Sequence, residues 1–215
     1  MTVLLSPPRI MAAVYGCFTH TLLISSFDAV FALLVKRTFS WTSTGLIFLA
    51  ISIPSTLDTI IGALSDRYDS RVGSPFGFEL TAPALALTGV VTDGSVGHQA
   101  ALIILLVAVG IGLIFILAPL AADMFDEVEA LSLQHPETFG KKRAYAQAYS
   151  LFGAALGLAT VVGPGRSGLF FEKTSWQITA GILAVICAVG GVPVFCYTGW
   201  GVKREGKTGA SAAQA

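Results

Sequence analysis

Asparagine is missing altogether from the 215 residues, cysteine and histidine occur three times each, and charged residues make up only 12% of the chain. Without asparagine there is no acceptor for N-linked glycosylation, and the paired Asn-Pro-Ala boxes of water channels are impossible. Cys17, Cys187 and Cys196 lie in apolar runs without metal-ligand spacing. Their odd number cannot close into a full set of disulfides, so they read as small reduced hydrophobes. The 13 basic and 13 acidic residues give a formal net charge of zero. No basic excess points to nucleic acid, and no acidic excess points to a solvated tail. No Arg-rich helix resembles a voltage sensor, and no spacing suggests a metal or a cofactor. The first ten residues lack the basic n-region and cleavage site of a secretory signal, so the first apolar run is expected to be kept as a helix.

What the chain has is apolar residues, 54% of it. A soluble domain usually carries about 25% charge, so water is the wrong solvent for most of this chain. Six apolar stretches fall at roughly 10–35, 43–64, 75–92, 98–121, 146–165 and 176–199, each near the ~20 residues a spanning helix needs. The expected fold class is all-α, a polytopic membrane bundle of six transmembrane helices over residues 10–200. The third stretch is the weakest, because Glu79 and Pro83 interrupt it. Lys and Arg in the connections give an independent check, since cytoplasmic loops collect positive charge. Arg9, Arg67, Arg71, Lys141, Lys142, Arg143, Lys203, Arg204 and Lys207 fall on one side, against Lys36, Arg37, Arg166 and Lys173 on the other. That asymmetry places residues 1–9 and the tail at 201–215 in the cytoplasm and requires an even number of spans. The tail is rich in Gly, Lys, Ser and Ala and reads as disordered. In the 123–143 connection, Met124, Phe125, Val128 and Leu131 recur at helical spacing, which suits either a short amphipathic helix on the cytoplasmic face or a solvated loop.

The most specific motif lies between the second and third stretches, where Gly62, Leu64, Asp66, Arg67 and Arg71 occupy a short cytoplasmic connection. Glycine allows close helix approach, and opposite charges in a tight turn can pair with one another or with a neighbouring helix end. This segment resembles the loop signature of the major facilitator superfamily, Gly-x-Leu-x-Asp-Arg-x-Gly-x-Arg, with Asp69 standing where the family usually has Gly. The stretches around Phe27, Asp28, Lys36 and Arg37, around Ser43 and Gly45, and around Gly140, Tyr145, Gln147 and Tyr149 are similar to the C-terminal half of fungal drug/proton antiporters related to vesicular monoamine transporters. Gly163 and Pro164 match that group's Gly-Pro pair, while Asp58 replaces a usual Gly and Gly153 stands where an Asn is expected.

The resemblance implies one six-helix half of a transporter that moves a small organic solute by alternating access, coupled to protons, with the 62–71 loop as a gate element. It implies no enzymatic activity and no cofactor. The expected partners are the lipid bilayer, the solute, protons, and a second six-helix half or a second copy. The rival reading is a truncated or partner-dependent half with no transport activity by itself, since substrate binds between halves in this family. Asp28 is the candidate proton site, because a carboxylate inside an apolar span is costly and usually faces a cavity or a partner. His20 lies about 12 Å earlier on the same helix, too far for direct contact. Tyr145, Gln147 and Tyr149 complete the candidate proton and substrate residues, and Gly163 with Pro164 is expected to bend or stop the fifth helix. Gly165, Arg166, Ser167 and Gly168 match the Gly-x-Ser-Gly pattern of intramembrane rhomboid-type proteases. Those enzymes draw their base from a later His, and His20, His98 and His135 all precede Ser167.

Overall fold

The structure is a computed structural model that describes residues 7–38, 54, 56, 73–91, 95–134 and 136–198. Five helices carry these residues: α1 (Pro8–Thr38), α2 (Gly73–Thr88), α3 (Val96–Gln134), α4 (Pro136–Lys173) and α5 (Trp176–Thr198). No strand occurs among the described residues. Pro8 and Pro136 each open a helix, a position where the missing N–H costs nothing and the fixed φ already suits the helix. Four segments are long and apolar enough to cross a membrane: Pro8–Leu34, Val96–Leu133, Tyr145–Gly168 and Trp176–Thr198. At 16 residues α2 is about 24 Å long, short of a ~30 Å hydrocarbon layer. Apart from residues 54 and 56, the stretch at 43–64 lies outside the described residues, as do the 62–71 loop and the tail at 201–215.

Cross-helix contacts fix the direction of each element. Gly16 of α1 faces Leu120 of α3 and Val194 of α5, Thr19 faces Gly190, and Phe27 meets Trp176, so α3 and α5 both run antiparallel to α1. Gly73 of α2 faces Pro119 and Gly77 faces Gly112, while Phe78 meets Gly191 and Cys187, so α2 too is antiparallel to α3 and α5. Gly163 of α4 lies against Leu22 and Ser25, and Tyr149 lies against Phe125 near the start of α1, which makes α4 parallel to α1. Helices α1, α2 and α4 thus point one way and α3 and α5 the other. The chain leaves α1 at one end of the bundle and enters α2 at the opposite end.

Each end is tied differently. At one, Phe27 and Phe31 stack at 4.9 Å and Trp176 meets Phe27 edge-on at 6.0 Å. The Trp176 indole Nε1 donates to the Thr88 carbonyl oxygen at 2.8 Å, taking an acceptor that the end of α2 leaves over. Three residues thereby join α1, α2 and α5. At the other end the tie is ionic, through Arg9. Between them the core is aliphatic, with Leu23, Val30, Leu85, Leu102, Leu106, Val109, Ile116 and Leu120 buried.

Helix α3 runs on to Gln134, so the helical spacing at Met124, Phe125, Val128 and Leu131 belongs to a continuation of the span and forms no separate helix. Met124 and Val128 are buried, and Phe125 and Leu131 pack against the core, so nothing there interrupts the helical ladder. Pro164 does not stop α4 either, which continues to Lys173. Hydroxyls keep polar groups satisfied inside their own helices: Thr81 donates to the Gly77 carbonyl at 2.7 Å and Thr19 to the Tyr15 carbonyl at 2.9 Å.

The α2–α3 crossing depends on glycine. A Cβ placed on Gly77 would sit 2.7 Å from the Gly112 carbonyl oxygen, whereas one placed on Gly157 of α4 would meet nothing within 4 Å. Replacing Gly77→Ala is expected to cost about 1–3 kcal/mol, because backbone rather than a flexible side chain must move. Gly157→Ala is expected to cost nothing. Thermal unfolding of the two variants in detergent, followed by a thiol-reactive dye, measures the contrast.

Candidate functional site

Asp28 lies on the sixth turn of α1 and is exposed. A carboxylate in this position is held by the apolar helix that carries it, since Phe27, Val30 and Phe31 on either side are buried in the core. Burial of those neighbours anchors α1 and leaves Asp28 outside the packed interior. His20 is different. It is buried beside the Leu113 backbone of α3, and its Nδ1 has no partner. The two residues sit on one helix but in separate surroundings, one in the core and one on the surface.

Tyr145, Gln147 and Tyr149 occupy the other end of the bundle. Tyr149 is 60% exposed, yet its ring centroid lies 4.5 Å from that of Phe125. Phe125 also meets Phe152 at 6.4 Å, and Tyr145 lies near the Glu129 and Asp126 carboxylates. Gln147 is half-buried, and its Oε1 has no partner. Asp28 is 19 residues beyond Arg9 on α1, about 28 Å along the axis, so it does not meet the tyrosines. The candidate residues therefore fall in three places: Asp28 on the outer surface, His20 in the core, and the tyrosines with Gln147 at the Arg9 end.

Glycines of α4 add a surface that the sequence pattern did not bring together. Among the described residues, no neighbouring atom outside the local helix backbone lies within 4 Å of a Cβ built on Gly153, Gly157, Gly165 or Gly168. Gly163, in contrast, is buried against Leu22, Ser25 and Ser26 of α1, so the Gly-Pro pair sits at a close helix contact. The Ser25 hydroxyl reaches the Ala159 carbonyl at 3.4 Å across the same contact.

The strongest polar constellation among the described residues combines groups that sequence reading had assigned to separate segments. Arg9 donates from Nη2 to Asp123 Oδ1, from Nε to Asp123 Oδ2 at 3.1 Å, and from Nη1 to Glu127 Oε2 at 3.1 Å. Asp123 is buried and Glu127 lies one turn further along α3 on the same face. A planar guanidinium suits this bidentate arrangement, and lysine could not reproduce it. The signal in the sequence was an acidic i, i+4 pair ending one apolar run and a lone arginine opening another.

Ser167 is buried, and its hydroxyl donates to the Gly163 carbonyl at 2.8 Å. Among the described residues no group of three or more His, Cys, Asp or Glu side chains is placed to hold a metal ion. No protein-family model and no curated protein matches the chain. Fold and composition together define an all-helical bundle whose long apolar helices suit a membrane.

Because the Ser167 bond stays within α4, Ser167→Ala is expected to change stability by less than about 1 kcal/mol. A larger drop in the detergent unfolding midpoint would mean that the hydroxyl serves a partner outside its own helix.

Proposed function

We propose that the chain is one six-helix half of a major-facilitator-type transporter, which moves a small organic solute by alternating access in exchange for protons. The observation that carries this reading is the direction of the helices. α1 and α2 are parallel and consecutive, and the apolar stretch at 43–64 has the length for a return crossing between them, which with α2 counted as a short span makes six. Six crossings put both termini on one side, in agreement with the distribution of Lys and Arg. The loop at 62–71 then falls on that same side, where the resemblance to the superfamily assigns it a gating role.

Asp28 is the proposed proton site. An exposed carboxylate within an apolar span faces either lipid, which is costly, or a water-filled path. In a path of alternating access it takes up a proton from one side and releases it to the other. His20, which is buried beside Leu113, is assigned to packing between α1 and α3 rather than to proton transfer.

The open glycine face of α4 favours one further element, dependence on a partner. A helix in lipid gains little from exposing Gly153 and Gly157, whereas small residues let a second helix approach closely. Transport is accordingly proposed for an assembly of two halves, either two copies or this chain with a complementary one.

The test is reconstitution into vesicles with an imposed pH gradient, using tetraphenylphosphonium as a model organic cation. Gradient-driven accumulation is expected for the wild type and a loss of about tenfold or more for Asp28→Asn, which cannot carry the proton. Accumulation that persists in Asp28→Asn removes the proton role. Vesicles in which cross-linking finds only monomer and no accumulation occurs remove transport by this chain alone.

A further inference from the structure

We infer that the contact of Arg9 with Asp123 and Glu127 is a releasable lock, which keeps one end of α1, α3 and α4 closed over Ala148 and the Phe125–Tyr149 contact. The two ends of the bundle are built for different behaviour. At the Trp176 end the ties are stacked rings and an indole bond to a backbone carbonyl, none of which a dissolved ion or a changed charge can replace. At the Arg9 end a single guanidinium is shared by two carboxylates and is only partly shielded, with side-chain exposures of 19% for Arg9 and 26% for Glu127. Ionic contacts of this kind weaken as water, salt or a competing cation reaches them.

What the lock controls follows from its place on α3. Phe125, which closes against Tyr149 and Phe152 of α4, stands between Asp123 and Glu127 on the same turn and a half of helix. Holding those two carboxylates to α1 therefore holds the aromatic contact in register. Releasing them frees the last turns of α3, and water gains access to Ala148, which is buried at 1% exposure on the neighbouring turn of α4. Further along α4, Ala159 is equally buried but lies against α1 beside Ser25, away from the lock.

Thiol labelling tests this on the full chain in vesicles without any substrate, so the result does not depend on whether the protein transports. In a background with Cys17→Ala, Cys187→Ala and Cys196→Ser, single Ala148→Cys and Ala159→Cys variants are expected to react slowly with a small water-soluble methanethiosulfonate. Adding Arg9→Gln is expected to speed labelling at 148 by about tenfold or more while leaving 159 within about twofold, as local opening requires. Exchanging the charges, Arg9→Asp with Asp123→Arg, is expected to slow labelling at 148 again. Should Arg9→Gln fail to insert, Arg9→Lys keeps the charge but loses the bidentate geometry, and an intermediate rate at 148 is expected. An unchanged rate at 148, or rates at 148 and 159 that rise together, overturns the lock.

Discussion

In a hydrocarbon solvent no water is present to take up a free N–H or C=O, so each backbone polar group of a spanning segment has to be satisfied by the segment itself. Much of this structure follows from that requirement. The described elements are helices, and Thr19, Ser25, Thr81, Ser167 and Thr198 turn their hydroxyls back onto carbonyls three or four residues earlier. Even prolines are accommodated: Pro83, Pro119, Pro164 and Pro193 all lie inside helices that continue past them. A proline removes one donor and crowds the preceding turn, yet packing on both sides keeps the helix from ending.

Once the backbone is satisfied locally, helix association depends on closeness and on a few strong polar contacts, because lipid tails compete equally for apolar surface. Both devices are present. Gly77 with Gly112, and Gly163 with Ser25, bring backbones together where any larger side chain would separate them. Trp176 and Arg9 then fix the two ends, the first by inserting a ring beside Phe27 and Phe31, the second by binding two carboxylates at once. Under the proposed transport function, the asymmetry of the two ends is what would matter, since alternating access requires that one end can open while the other holds.

The candidate site was only partly legible in the sequence. Asp28 stood out because a lone carboxylate in an apolar run is conspicuous, and the structure leaves it exposed. His20 looked like its companion because eight residues return a helix to nearly the same face. Yet the direction of a face does not say what packs on it, and α3 covers His20 while Asp28 stays uncovered. Arg9 was read as a marker of topology, and residues 123–143 as a connection between spans. Their pairing was hidden because more than a hundred residues separate them in the chain. Gly153 was noticed for the side chain it lacks, while the row of glycines around it acquired meaning only when none of the described helices was found against it.

By itself the sequence determined the solvent and the helical secondary structure, because these depend on local quantities: apolar content, the spacing of charges and the cost of an unsatisfied backbone in lipid. The distribution of Lys and Arg adds an expectation for the sidedness of the loops. Tertiary structure alone decided which faces meet. It joined Arg9 to α3, carried that helix through 123–134 as one piece, drew Gly163 against α1 and left α4 open on its far side. The reason is physical: contacts between helices are chosen by shape and by a handful of polar groups whose partners lie far away in sequence, and no local pattern records which distant segment will supply them.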